Sequence, residues 1–130
     1  MKEKEKVKKY LQLQMLKEEV VELKDKKEQI ERAIIELTQT NEVVENIEEL
    51  KKNEIMFSVG SGLFVKGSVQ TTNNVLINVG ANVFLFKRSN AAKKIIHERM
   101  ESLVNTYNEI TSIINKVQSY IVSLEKELSR

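Results

Sequence analysis

All four glycines of this 130-residue chain, Gly60, Gly62, Gly67 and Gly80, fall within one stretch of its middle, and proline is absent altogether. Glycine and proline are the residues that most strongly interrupt regular structure. Their placement divides the chain into three: a long unbroken segment over about 3–52, a glycine-bearing middle over 54–87, and a second long segment over 90–129. Nothing resembles a linker, so the expectation is a single domain spanning residues 1–130.

The first long segment repeats apolar residues at alternating steps of three and four. The positions are Leu13, Leu16, Val20, Leu23, Lys27, Ile30, Ile34, Leu37, Asn41 and Val44, polar only at Lys27 and Asn41. From Ile96 the same stepping gives Met100, Leu103, Tyr107, Ile110, Ile114, Val117, Ile121, Leu124 and Leu128, without a polar break. A sustained 3.5-residue period predicts coiled-coil helices. Glu22 with Lys26 and Glu28 with Arg32 add pairs four residues apart in the favourable order. Two seams of similar length, separated by a compact insertion, bury each other most economically as an antiparallel hairpin of helices. At 1.5 Å per residue each helix would run roughly 60 to 70 Å. Lys27 and Asn41 are polar seam positions of the kind that fix register and orientation at some loss of stability.

The middle is rich in Val, Ile and Phe and predicts four short strands, Ile55–Val59, Leu63–Val69, Val75–Val79 and Val83–Phe86. Turns are signalled at Gly60-Ser61-Gly62, at 71–74 and at Gly80-Ala81-Asn82, giving two consecutive β-hairpins. Alternation sends Leu63, Val65 and Val69 to one face and Phe64 to the other; Val83 and Leu85 oppose Phe84 and Phe86. Both faces thus carry large apolar groups, and four short strands cannot cover two faces and their own edges. The fold class is α+β: a long antiparallel helical coiled-coil hairpin with two inserted β-hairpins that form an oligomerising β-body.

Composition removes most other functions. Twenty-one basic and nineteen acidic residues leave a net charge of +2, far from the field a nucleic-acid binder needs. The basic start, Lys2 to Lys9, is interleaved with Glu3 and Glu5 and reads as a solvated helix end. No apolar run is long enough to span a bilayer, and no signal peptide is visible, so a cytoplasmic location is expected. With no cysteine and a single histidine, His97 among Lys93, Lys94, Glu98 and Arg99, neither a metal site nor an acid–base centre is expected. Gly60-Ser61-Gly62 lacks the spacing of a phosphate loop and reads as a hairpin turn. The chain is expected to be no enzyme and to need no cofactor.

Off the seam, Tyr10, Leu11 and Met15 near one end, and Tyr120 and Val122 near the other, are apolar or aromatic. An antiparallel hairpin makes these two regions neighbours, away from the strands. There they would form an adaptable apolar surface ringed by Lys and Glu.

The order helix, two β-hairpins, helix resembles the α-class subunit of prefoldin. Phe57-Ser58-Val59-Gly60-Ser61-Gly62-Leu63-Phe64-Val65-Lys66-Gly67 is similar to that family's strand–turn–strand with its paired glycines and closing Lys-Gly, and residues 75–82 are similar to its second hairpin. The sequence departs at Ser58, where the family commonly has proline, at Asn82, where a second glycine is usual, and at Phe86, where an acidic residue is frequent. The resemblance implies an ATP-independent holdase chaperone that binds unfolded proteins at coiled-coil tips and passes them to a group II chaperonin. Carried over, the client-binding residues would be Tyr10, Leu11, Met15, Tyr120, Ile121 and Leu124. The assembly residues would be Phe57, Val59, Leu63, Val65, Val75, Ile77, Val79, Phe84 and Phe86, meeting prefoldin β-class subunits or copies of the chain itself. The alternative is a self-assembling, filament-forming structural relative of the archaeal type, for which the unusual Phe86 is the residue to watch.

Overall fold

In the computed structural model, residues 2–130 are described. Helix α1 (Glu3–Glu45) leads through a single 3-10 turn (Ile47–Lys51) into strands β1 (Ile55–Gly60), β2 (Leu63–Gly67), β3 (Asn74–Gly80) and β4 (Val83–Arg88), and helix α2 (Ser89–Leu128) follows directly. The chain packs as two units, Met1–Ile35 with Ser102–Arg130, and Glu36–Glu101. The expected architecture of two long helices and two β-hairpins stands.

In the first unit the helices run antiparallel and bury the predicted seam. Leu13 and Val20 form one cluster with Ile110, Ile114, Ile121 and Leu124, and Leu16, Leu23, Ile30, Val117 and Leu128 pack against it. Lys27, a polar break in the seam, is satisfied by aromatic contact, its Nζ lying 5.0 Å from the centroid of the Tyr107 ring.

α1 stops at Glu45 instead of continuing to residue 52. Asn46 leaves helical geometry at φ −113°, ψ 31°, and its side-chain Nδ2 donates to the Glu42 carbonyl at 3.1 Å. This closes the helix, and the 3-10 turn that follows buries Ile47.

The four strands form two separate antiparallel pairs, β1 with β2 and β3 with β4, and no ladder joins the pairs. Val69 lies beyond the end of β2, so its expected place in the alternation is not realised. Both hairpins repeat one design. Each has a two-residue turn, Ser61-Gly62 or Ala81-Asn82, in which both residues have positive φ. That turn type matches the twist of paired strands. Each also has a register shift just before the turn, leaving Val59 and Val79 as extra residues. Gly67 serves a second purpose: the Phe57 ring lies so close that a Cβ there would meet its Cε2 at 2.8 Å.

The hairpins differ in support. Ile77 of β3 is buried with Ala92 and Ile96, and Val75, Leu37, Ile95 and Met100 pack around them. No residue of the first hairpin is buried, and neither apolar cluster includes one.

Two local features carry stability predictions. Ala81 holds φ 50°, a left-handed conformation that costs a residue with a Cβ roughly 1–2 kcal/mol. Ala81→Gly is expected to raise unfolding stability by about 1 kcal/mol, read by urea denaturation. Asn41, on the seam, has a buried Oδ1 with no hydrogen-bond partner. Asn41→Leu is expected to stabilise by about 1–3 kcal/mol; unchanged or lowered stability would show that the amide is better satisfied than its geometry indicates.

Candidate functional site

Two exposed apolar surfaces stand out, one in each unit. The first lies where the start of α1 runs beside the end of α2. Helical geometry at 100° per residue puts Leu13, Leu16 and Val20 on the buried seam and Val7, Leu11 and Met15, each four residues apart, on the opposite face. All three of the latter are exposed, Met15 at 69%. Tyr10 flanks the stripe, exposed as well, and Tyr120 and Val122 are exposed on α2. Val7 was missing from the sequence-based set, although its four-residue spacing from Leu11 is visible in the sequence.

Ile121 and Leu124 do not belong to this surface. They are only 9% and 3% exposed and form part of the seam cluster. The stepping that places them on the seam also turns them inward, so their place is in the core and not among exposed contact residues.

Polar contacts flank the buried seam at this end and hold the two helices together. Lys9 Nζ pairs with Glu127 at 2.5 Å, Lys17 with Glu125 at 3.4 Å, and Gln12 Nε2 donates to the Tyr120 hydroxyl at 3.3 Å. The hydrogen bond to Glu127 holds the Lys9 ammonium above its usual range, so Lys9 favours the paired state below about pH 10.5 and loses that preference above it. These cross-helix pairs depend on rotation and stagger, which the sequence does not display.

The second surface is the outward side of the hairpins. In β3–β4, Leu76 stands opposite Phe86 and Asn78 opposite Phe84, on the side facing away from the buried Ile77. Leu76 and Phe84 are exposed, and Phe86 is the most exposed large apolar side chain described, at 76%. In β1–β2, Met56 stands opposite Lys66 and Ser58 opposite Phe64 on one side, Phe57 opposite Val65 on the other. Met56, Phe57, Phe64 and Val65 are all exposed. Of the expected assembly residues, Phe57, Val59, Leu63, Val65, Val79, Phe84 and Phe86 are exposed. Val75 and Ile77 instead pack inward against α2, because they lie on the strand face that α2 covers.

A polar junction lies between the 3-10 turn and the start of α2. Thr72, only 2% exposed, donates from Oγ1 to Glu48 Oε1 at 2.5 Å, while its carbonyl accepts from the Ser89 hydroxyl. Glu48 also meets Lys51 at 3.1 Å, Glu45 meets His97 at 3.0 Å, and Glu49 meets Lys52 at 3.0 Å. The open cleft of about 780 Å³ beside this junction is lined by these acids together with Arg88 and Lys93. Its carboxylates are already engaged, and no group of three acidic or histidine side chains suited to a metal occurs among the described residues. Among those residues, too, no helix is long and apolar enough to cross a membrane.

Residues 16–130 match the model of the family described as prefoldin subunit. Among curated proteins, the chain is 27% identical over 122 residues to the prefoldin subunit alpha of Methanococcus vannielii, covering 93% of this chain and 82% of that one. It is 25% identical over 128 residues to the prefoldin subunit alpha of Archaeoglobus fulgidus, covering 98% and 93%. Among solved structures, a filamentous PFD from Methanocaldococcus jannaschii, determined by cryo-EM, superposes with a TM-score of 0.76 at 19% identity, covering 88% of this chain and 96% of that one.

The junction yields a pH prediction. Hydrogen bonding from Thr72, then from Lys51, holds the Glu48 carboxyl below its usual value of 4.5. A depressed carboxylate stabilises the folded state above the unfolded value, and the contribution is lost as pH falls through the folded one. Amide exchange at Ser89 is therefore expected to accelerate as pH falls below about 4.5, beyond the intrinsic trend. Glu48→Gln is expected to remove that acid dependence, and an unaltered profile in the variant would assign the effect elsewhere.

Proposed function

The chain belongs to the prefoldin family, and from that premise we propose that it works in the cytoplasm as an ATP-independent holdase subunit. It performs no catalytic step. It binds unfolded proteins at the end of its helical pair and passes them to a group II chaperonin. The observation that carries this reading is the exposed Val7–Leu11–Met15 stripe, set opposite the buried seam and flanked by Tyr10, with Tyr120 exposed on α2 at the same end.

The seam consumes one face of each helix, so apolar groups on the opposite face add nothing to the pairing. Their burial against a non-native chain contributes roughly 1–3 kcal/mol per side chain before association costs. The thioether of Met15 and the branched Leu11 adapt to varied partners without a fixed geometry. Holding acts by mass action: a bound client is withdrawn from the pool that aggregates.

The β-hairpins serve assembly, with prefoldin β-class subunits or with further copies of this chain as partners. The exposed Phe86 favours the second reading, a self-assembling filament, and the similar fold of the filamentous archaeal protein supports it.

The holdase reading is tested by the triple substitution Val7→Ser, Leu11→Ser and Met15→Ser, read by light scattering of a chemically denatured model protein. All three positions lie off the core cluster, so helical content and assembly size are expected to stay unchanged. Client affinity is expected to fall by about tenfold to a hundredfold. Full suppression of aggregation by the intact variant assembly would move the client site away from this end.

A further inference from the structure

We propose that the outward face of the second hairpin binds the Met56–Phe64–Lys66 face of the first hairpin of another copy, with the Lys66 ammonium against the Phe86 ring. The proposal rests on the self-assembly reading above and specifies which faces meet.

The two hairpins are near-copies in register, turn and bulge, and their corresponding faces can be compared position by position. Aligned on the turns, Phe64 corresponds to Phe84, Met56 to Leu76, and Lys66 to Phe86. The two faces therefore share an apolar pair and differ at one decisive position, a cation on one and an aromatic ring on the other. Face to face, Phe86 against Phe86 offers no charge complementarity, and Lys66 against Lys66 is repulsive. Lys66 against Phe86 is attractive, because an ammonium is drawn to the negative face of an aromatic ring.

The support each hairpin receives points the same way. The second hairpin is seated on α2 through Ile77, Ala92 and Ile96, leaving only Leu76, Phe84 and Phe86 uncovered on its outer side. The first hairpin has no buried residue, and a two-stranded ribbon is marginal in water without a surface to lie on. A seated face and an unsupported ribbon of matching dimensions are complementary. Because the partners are different faces, the contact is heterologous and continues from copy to copy unless the rotation closes a ring.

Sedimentation velocity on the full chain distinguishes this arrangement from its rivals. The wild-type chain alone is expected to form large species. Phe86→Lys is expected to abolish them, since it sets lysine against lysine. Lys66→Glu is expected to weaken association by about tenfold through loss of the cation–ring contact. Mixing the two variants in equal amounts is expected to restore large species. The lysine introduced by the first substitution then meets the glutamate introduced by the second, while the unaltered Phe86 and Lys66 meet at the alternate contact. Restoration also shows that both variants fold. If Phe86→Lys assembles like the wild type, or if the mixture restores nothing, the pairing is overturned while self-assembly stands. If the wild-type chain alone stays monomeric, the self-assembly reading falls, and this inference with it.

Discussion

The burial of Leu13 and Val20 against Ile110, Ile114, Ile121 and Leu124 is the contact from which the other properties of the helical pair follow. Helices in water draw little stability from propensity alone and depend on a buried stripe. Here the stripe takes one face of each helix, and the remaining faces are free of any structural duty. That freedom gives the exposed Val7, Leu11 and Met15 their significance. A chain selected only for the pairing gains nothing from apolar residues opposite the seam, and charged residues there would serve solubility better. The ion pairs Lys9–Glu127 and Lys17–Glu125 add little stability at such exposure. Their value lies in fixing the stagger of the two helices, so that Tyr120 lies beside Gln12 at the same end.

The hairpins follow a different constraint. A ribbon of two strands has no interior, so each of its apolar faces needs a surface from outside. The second hairpin finds one in Ala92 and Ile96. The first finds only local shielding, with Phe57 folded over Gly67. Every strand also keeps one unpaired edge. Exposed edges together with exposed Phe64, Phe84 and Phe86 would be an aggregation hazard in a monomer, one that the proposed assembly would remove by using them.

What the sequence disclosed was what repeats. The seam residues of both helices emerge from a 3.5-residue step, and the two hairpins from the clustering of glycine. What it concealed depends on packing between distant segments. Asn46 ends α1 within an otherwise helix-compatible run, and nothing in the seam pattern marks it. Ile121 and Leu124 entered the contact set through the family resemblance, although the 3.5-residue step already put them on the seam that proves buried. Val75 and Ile77 alternate in sequence just as Phe57 and Val65 do, yet only the former pair is covered, because α2 follows the second hairpin without a break. Thr72 read as one polar residue of a turn, and its burial depends on Glu48 and Ser89, which arrive from segments on either side.

Holding and assembly are linked by affinity. A stripe of three side chains, even with Tyr10 beside it, would bind an unfolded segment only weakly once association costs are counted. Weak sites hold a client only when several act on the same chain, so that release from one leaves the others engaged. On the proposed reading, the number of sites available to a client would then be set by the hairpins, through how many copies they bring together. An interface that pairs unlike faces does not fix that number, whereas one that pairs like faces stops at two. In the proposed arrangement, the cation at Lys66 and the ring at Phe86 would thus bear on how many segments of a client can be held at once.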